Sequence, residues 1–241
     1  MKLFSFKRAF LPLTLCLALL PLLSCAARIS GSLAVDGSAA LTVNMSLEPR
    51  MTALIRSLAA AGGQTGGQVL DGPAIARSMS NAPSGNVSAS LRNTSPAAIE
   101  GTIQISNISR FLAVGDRGGF IEFEQGRAGG RCGISISRGN GPVILELLSP
   151  EIADYLNALM APLATGEELS KTEYLELVSS VYSKAISDEI SGSRIRASID
   201  FPGSVTSVKG GTFSGKRANF DIPLLDLLVL ETPMSYEVKW N

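Results

Sequence analysis

Hydrophobic and polar residues alternate along the chain just after residue 25. Odd positions are apolar from 29 to 33 and again from 39 to 47, with Ser, Thr and Asn between them. A period of two is typical of a β-strand with one buried face, so the pattern predicts a hairpin around Asp36-Gly37. A three-residue loop pairs Leu33 with Ala39 and keeps the apolar side chains on one face. A two-residue Asp-Gly turn would mix the two faces, so the longer loop is favoured.

A period near 3.6 residues predicts three amphipathic helices, near 50–60, 150–163 and 171–190. The second opens on Ser149-Pro150-Glu151, and the third opens on a capping box formed by Ser170 and Glu173. A short helix is also predicted over 73–79. The glycine-rich segment at about 61–72 is predicted to be a flexible loop.

Further alternating segments predict a series of strands. They cover residues 87–91, 99–105, 120–124, 131–137, 143–148, 193–201, 205–208, 217–222 and 234–240, the last with Trp240 inside. The apolar run 224–230 fits either a short helix or a buried strand. No internal repeat is present. Residues 25–241 are therefore expected to form a single α+β domain, with a mostly antiparallel sheet built from both ends of the chain and helices packed on one face.

The first 24 residues have the composition of an export signal. Lys2, Lys7 and Arg8 precede an apolar stretch over 9–23, which is short of the ~20 residues of a membrane span. The following residues, 22–25, read Leu-Leu-Ser-Cys and resemble the lipobox of bacterial lipoproteins. Leu23 departs from the smaller residue usual at that position. The alternative is an ordinary secretory signal followed by a chance cysteine.

The lipobox resemblance implies a lipid anchor. In that family the signal is cut between the residues that correspond to Ser24 and Cys25, and the cysteine is then acylated, with palmitate among the expected chains. Each methylene removed from water contributes ~0.8 kcal/mol, so two or three chains hold a protein firmly at a bilayer. Because Ala26 follows the cysteine, the resemblance implies a lipid-anchored envelope protein of the outer rather than the inner membrane.

The charge balance and the absence of histidine narrow the chemistry. Without the three basic residues of the signal, 18 basic groups remain against 21 acidic ones, a net charge of −3. No basic block suits nucleic acid, so none is expected as a partner. The absence of histidine excludes Ser-His-Asp and Cys-His catalysis and imidazole-based zinc sites. No cofactor and no metal are expected.

Cys132 is the one cysteine left when the signal is removed and Cys25 is acylated. It stands in the alternating run 131–137. We predict a buried structural thiol rather than a nucleophile, because no histidine is present to lower its pKa.

Two weaker motifs offer alternative chemistry. Residues 210–217 fit the spacing of a phosphate-binding loop up to Arg217, but residues 218–222 predict a strand where that loop needs a helix. Gly210-Gly211 is predicted instead to be a hairpin turn. Acid–base catalysis would need two carboxylates in unlike environments, and the adjacent acids are expected to be solvated instead. These pairs are Glu122/Glu124, Glu167/Glu168, Glu173/Glu176 and Asp188/Glu189.

Both ends of the chain resemble the LppM-type lipoprotein domain. The matching features are a strand–Asp-Gly-Ser–strand hairpin over 31–43, the segment 200–205, and a final strand running from Tyr236 to Trp240. The resemblance implies an α+β lipoprotein domain in the envelope that contacts lipids or glycolipids, without catalytic residues to carry over.

The leading hypothesis is a non-enzymatic envelope lipoprotein that binds a lipid, a glycolipid or a protein partner. A lipid-binding protein is expected to have an apolar groove between helices and sheet. The first alternative is an envelope glycan hydrolase with paired carboxylates. The second is a structural subunit of an envelope complex, which would expose a large apolar patch.

Overall fold

The computed structural model describes residues 26–61, 68–81, 85–113, 120–126, 128–141, 145 and 150–241. The predicted signal, Cys25 and the lipobox lie outside these residues. The strands are β1 Ala26–Leu33, β2 Ala39–Ser46, β3 Val87–Ser95, β4 Ala98–Ile105, β5 Ile121–Gly126, β6 Gly129–Ile136, β7 Arg194–Asp200, β8 Val205–Lys209, β9 Thr212–Ser214, β10 Arg217–Pro223 and β11 Met234–Trp240. The helices are α1 Pro49–Ala61, α2 Gly72–Ser80, α3 Ile108–Leu112, α4 Pro150–Ala158, α5 Pro162–Thr165, α6 Lys171–Val181, α7 Lys184–Gly192 and α8 Leu224–Val229.

The strands form two sheets. The large sheet has the order β3-β4-β2-β1-β7-β10-β9, and the small sheet has the order β5-β6-β11-β8. Strand β1 pairs with β7 in parallel, and the other pairings among the described strands are antiparallel. The α+β prediction, with a mostly antiparallel arrangement drawing on both chain ends, is confirmed. The strands are divided between two sheets where the sequence predicted one.

The first hairpin has the predicted register. Leu33 lies opposite Ala39, and the alternating burial of β2 matches the predicted apolar face. Gly37 adopts a φ of 79°, as the three-residue loop requires. The Asp36 carboxylate accepts hydrogen bonds from the Ser38 hydroxyl at 2.6 Å and from its amide at 2.9 Å, and these bonds hold the pKa of Asp36 below its usual range.

The large sheet has an inner apolar face and an outer polar face, and the helices cover one end of the inner face. Their core centres on α6, where Tyr174 and Val178 are fully buried against Val229 of α8. The Tyr174 hydroxyl donates to the Leu159 carbonyl at 3.2 Å. The predicted capping box at the start of α6 is confirmed, because Ser170 and Glu173 hydrogen-bond each other's backbone N–H groups.

Two of the predicted long helices are broken in the structure. Segment 150–163 divides into α4 and α5 at Met160, which has a φ of 52°. The break has a local cause, since Pro162 lacks an N–H and keeps the preceding Ala161 extended. Segment 171–190 divides into α6 and α7, because the Ser183 side chain caps a new helix by accepting from the amide of Ile186.

Other predicted segments have mixed outcomes. The run 224–230 is helical, and Leu230 ends it with a φ of 49°. Leu145, in the predicted strand 143–148, is helical, and the other residues of that segment lie outside the described part. In the predicted loop 61–72, Val69 and Leu70 are buried, and Gly72 already belongs to α2. Helix α2 confirms the helix predicted over 73–79.

The small sheet covers the other end of the inner face. Trp240 is 5% exposed, and its ring centroid lies 4.9 Å from that of Phe201 and 6.3 Å from that of Phe123. A Cβ atom on Gly130 would lie 2.2 Å from Cζ2 of Trp240, so the glycine leaves room for the indole. The prediction that Trp240 points inward is confirmed.

Candidate functional site

Several positions on the inner face of the large sheet are occupied by small residues. Cross-strand neighbours on this face include Gly31 opposite Leu41 and Gly101 opposite Val43. Ala197 lies beside Ile29 on the parallel neighbour strand. A Cβ atom on either glycine would lie within 2.2 Å of a backbone oxygen of the neighbouring strand, so the two glycines permit close strand approach. Alanine fills little volume above the sheet, and Ala197 leaves space between this face and the elements that cover it.

The larger apolar space, which we name the inter-sheet cavity, lies between the inner face, the small sheet and α3. Its volume is about 290 Å³. Its walls are almost entirely aliphatic and aromatic: Ile29, Leu33, Ala39, Leu41, Ile105, Ile108, Phe111, Leu112, Ile121, Cys132, Ile134, Ala197, Ile199, Phe201, Phe220, Ile222, Tyr236 and Val238, with Ser32 and Glu237 also contributing. The described part of the chain thus surrounds this space with hydrocarbon.

Many of these apolar side chains are only half-buried. Leu41 and Ile105 on the large sheet, Ile121 and Ile134 on the small sheet, and Phe111 of α3 all retain part of their surface exposed. Fully packed cores leave few voids larger than a water molecule. The inter-sheet cavity therefore offers unburied apolar surface that a nonpolar molecule can cover.

Helix α3 forms one wall of the inter-sheet cavity. The Asn107 side chain caps this five-residue helix by accepting from the Arg110 amide at 2.9 Å. Ile108 also donates its amide to the Gly37 carbonyl at 2.9 Å, which ties α3 to the first hairpin. The apolar residues of α3 are thereby held over the end of β1 and β2.

A second apolar space, the helix-side cavity, lies between the helices and the opposite end of the inner face. It measures about 190 Å³ and is the groove between helices and sheet that a lipid-binding protein was expected to have. Its lining includes Ala27 and Ile195 from the sheet and Met51, Tyr155 and Leu228 from the helices. Arg194 stands at its edge. The two cavities therefore lie at opposite ends of one apolar face.

Cys132 lies in the wall of the inter-sheet cavity. It is half-buried and packs against the core that surrounds Trp240. Burial raises the pKa of the thiol to about 11. The group is therefore protonated at neutral pH and has the properties of an apolar wall residue.

Cys132 is expected to react slowly with thiol reagents in the folded protein. A pKa two units above the ordinary value lowers the thiolate fraction at pH 8 by about 100-fold. Iodoacetamide labelling followed by mass spectrometry should show slow modification in buffer and fast modification in 8 M urea. Equal rates in the two solutions would contradict this placement of the thiol.

The structure brings none of the predicted carboxylate pairs together across a cleft. Glu122 lies on the outer face of the small sheet, where Arg131 binds it at 2.9 Å and binds Glu237 at 2.6 Å. Lys239 also contacts Glu237 at 3.2 Å, and Arg131 and Lys239 together hold the pKa of Glu237 below its usual range. Glu124 is exposed on the same strand. These groups form a solvated network of ion pairs.

The remaining predicted acids have structural roles or lie in solvent. Asp188 pairs with Lys184 at 2.7 Å, and Glu189 accepts from the Met51 amide at 2.8 Å. Glu173 belongs to the capping box, and its bonds to Ser170 lower its pKa. The others are exposed: Glu167, Glu168 and Glu176.

The phosphate-loop near-match has the geometry of a strand connection. After Gly210-Gly211 the chain passes from β8 of the small sheet to β9 of the large one, so the prediction of a hairpin turn there is wrong. The hairpin turn lies further along, at Gly215, with a φ of 61°. As predicted, strand β10 follows directly where a phosphate loop would need a helix.

An arginine cluster on the outer face was missed in the sequence. Strands β1 and β7 place Arg28 directly beside Arg196, and Ala26 beside Arg194. The alternation of Arg194 and Arg196 within one strand was visible in the sequence. Their meeting with Arg28 depends on a parallel pairing between distant segments, which no local pattern indicates.

Two further searches of the described residues concern metals and membranes. No group of three His, Cys, Asp or Glu side chains there could hold a metal ion. Within the same residues, no helix is both long and apolar enough to cross a membrane.

Comparison with known proteins yields one structural similarity. No known protein family matches the chain, and no curated protein matches it either. Among solved structures, the chain is similar to the folded domain of LppM from Mycobacterium tuberculosis, determined by NMR, with 11% identity and a TM-score of 0.41. The match covers 90% of this chain and 89% of that domain. At this level of similarity, the architecture given above rests on this chain's own strand pairings.

Proposed function

We propose that this chain is a lipid-anchored, non-enzymatic protein of the bacterial envelope that holds an acyl chain in the inter-sheet cavity. The observation that carries the proposal is the half-open hydrocarbon lining of that cavity. Ligand sites of proteins are concave, mostly apolar and commonly about 300–1,000 Å³ in volume. The inter-sheet cavity, at about 290 Å³, is just below the lower limit of this range, which favours a slender ligand over a polycyclic one.

The ligand chemistry follows from the cavity walls. The lining offers scarcely any polar groups, so specificity for a sugar or a nucleotide has no basis there. Each methylene group that leaves water contributes about 0.8 kcal/mol. A hydrocarbon chain thus gains from every carbon it inserts, and it leaves no buried polar atom without a partner.

The position of Cys25 supports an origin of the ligand in the membrane. Cys25 precedes Ile29 by four residues, a reach of about 14 Å, and Ile29 lines the inter-sheet cavity. Acylation at Cys25 would hold this end of the molecule at the bilayer surface, in the outer membrane under the proposed sorting. Lipids would then be available to the inner face at high local concentration.

Among the described residues, no specific observation favours either alternative function, the glycan hydrolase or the structural subunit. The described carboxylates of the predicted pairs are exposed or engaged in structural bonds. The most exposed large apolar side chains among the described residues are Val35, Val181 and Phe213. They lie on a loop, on α6 and on β9, so they do not belong to one sequence segment or element. The lipid-binding proposal is therefore the one with structural support.

Filling the cavity should abolish ligand binding. We expect Ala39→Phe to place a ring in the inter-sheet cavity, at an overpacking cost of about 1–3 kcal/mol. Cells would be fed a photoactivatable fatty acid, and crosslinked peptides of the purified protein would be mapped by mass spectrometry. The natural protein should show crosslinks on cavity-wall residues, whereas Ala39→Phe should lose at least nine-tenths of them.

Ala40→Phe is the matched control, because Ala40 is the next residue on β2 and faces solvent on the outer face. It should keep the crosslinks of the natural protein. Circular dichroism would check that both variants remain folded. Undiminished wall crosslinks in folded Ala39→Phe, or none in the natural protein, would refute the cavity's role.

A further inference from the structure

One cross-strand row on the outer face of the large sheet carries an unbalanced positive charge. Adjacent strands place five residues in register with Arg92, in the order Glu100, Asn44, Arg28, Arg196 and Asp221. Neighbouring strands are about 4.8 Å apart. Arg92 binds Glu100 at one end of the row, and Arg196 lies 3.6 Å from Asp221 at the other.

Arg28 lies in the middle of this row without an acidic neighbour. Its partners in register are Asn44 on one side and Arg196 on the other, and it forms no ion pair within the described residues. Like charges directly opposite each other destabilise a sheet. Arg28 and Arg196 thus have a single carboxylate beside them, that of Asp221. The arrangement attracts an anion from outside the protein.

Elsewhere on the outer face, an arginine is paired with an acidic residue. Arg217 is bound by both carboxylate oxygens of Asp200, at 2.7 and 2.6 Å, and this pairing lowers the pKa of Asp200. Since other arginines of this face are neutralised within the sheet, the excess charge is local to Arg28 and its neighbours.

A concavity surrounds Arg28 and Arg196. It is about 820 Å³ in volume, and Ser30, Ser198 and Asn219 form its floor beside the two guanidinium groups. Residues 210–212 form a side wall. Guanidinium groups present forked N–H donors that match phosphate oxygens. The Ser198 hydroxyl donates to Oδ1 of Asn219 at 2.7 Å, which leaves the Ser30 hydroxyl and the Asn219 amide nitrogen as further donors. The donor set suits a phosphate group.

The concavity also lies close to the proposed anchor. Arg28 follows Cys25 by three residues, which places it within about 10 Å of the acylated position. We propose that Arg28 and Arg196 bind the phosphate of an anionic membrane lipid next to the anchor. The inference rests on the proposed function, because acylation at Cys25 is what brings the site to the bilayer. Binding at this site would orient the outer face of the large sheet toward the lipid headgroups.

Lipid retention by the acylated full-length product tests the site. The protein would be purified in a neutral detergent with equal amounts of phosphatidylglycerol and phosphatidylcholine, and retained lipids would be counted by native mass spectrometry. We expect preferential retention of phosphatidylglycerol. A basic group near an anionic headgroup contributes about five-fold in binding, so Arg28→Gln should lower the preference by about that factor. Raising the salt from 0.15 to 1 M should weaken it as well.

Two variants sharpen the test. Asp221→Asn removes the competing carboxylate and should increase the preference for phosphatidylglycerol. Arg77→Gln removes an exposed arginine on α2 and should leave it unchanged. A gain in one variant and a loss in another cannot arise from unfolding.

The outcomes separate this inference from the proposed function. An unchanged lipid preference in acylated, membrane-bound Arg28→Gln would overturn the headgroup site and leave the anchor and cavity intact. Inorganic phosphate would be added to a parallel sample. If it displaced both lipids equally and bound as tightly as phosphatidylglycerol, the headgroup site would also be overturned, because the site would then hold a free anion. An unacylated Cys25 in the natural protein would refute the proposed function.

Discussion

Replacing Cys25 by alanine is expected to move the protein from the membrane fraction to the supernatant. The described chain contains no helix able to cross a membrane, so under our proposal retention depends on the acyl chains. One chain gives marginal binding, whereas two or three give stable binding, because each methylene adds about 0.8 kcal/mol. Fractionation by ultracentrifugation, followed by immunoblotting, measures the change. We expect near-complete release.

The other cysteines provide matched controls. Cys132→Ala changes a thiol in the cavity wall, and Cys16→Ala changes one within the predicted signal. Both should leave the protein in the membrane fraction. Intact-mass measurement of the natural product should show an acylated terminus at Cys25. Sedimentation of Cys25→Ala with membranes, or an unmodified terminus elsewhere, would show that the anchor is wrongly assigned.

Replacing Trp240 by alanine should cost about 3–5 kcal/mol of the free energy of unfolding. The indole is 5% exposed and packs between Phe123 of the small sheet and Phe201, which directly follows β7, at centroid distances of 6.3 and 4.9 Å. Its removal leaves a cavity at the junction of the small sheet and the large one. Since domains have only about 5–15 kcal/mol of stability in total, this single change approaches complete unfolding.

Urea unfolding monitored by circular dichroism tests the role of Trp240, because the signal does not depend on the tryptophan itself. Phe213→Ala is the control, since Phe213 is 47% exposed and its removal should change the stability by less than about 0.5 kcal/mol. Trp240→Phe should fall between the natural protein and the alanine variant. A loss below 1 kcal/mol in Trp240→Ala would mean that the indole does not hold the two sheets together.

Two features that depend on neighbouring residues were predicted correctly. The register of the first hairpin followed from keeping apolar side chains on one face, and the capping box followed from the spacing of Ser170 and Glu173. Both arise from contacts between residues a few positions apart, so the sequence contains the information directly. The same reasoning placed Trp240 inside.

Two features that depend on distant contacts were not predicted. Strand alternation identifies a buried face but not the partner strand, so neither the parallel pairing of β1 with β7 nor the division into two sheets was visible. The broken helix at Met160 is a different case, because Pro162 already indicated a helix boundary. The prediction of one continuous helix followed the apolar spacing and disregarded this proline, which was the correct local signal.

The candidate sites also differ in whether a local motif or contacts between distant residues produce them. Cys25 is proposed from a local motif, whereas the inter-sheet cavity arises where small residues of several strands meet, Ala39 and Ala197 among them. Arg28 and Arg196 are 168 positions apart in the sequence but adjacent in the sheet. Without the predicted signal, the composition is slightly acidic and contains no basic block, and the arginine cluster appears only when the chain is folded.

The position of the first and last described strands has a consequence for biogenesis. Strand β1 needs β7, and the small sheet needs β11 at its centre, so under the proposed export neither layer can close until almost the whole described chain has been translocated. Contacts of such large sequence separation slow folding and prolong the exposure of apolar strands. If the chain is exported as we propose, we expect it to depend on periplasmic chaperones, and its yield to fall sharply in cells that lack them.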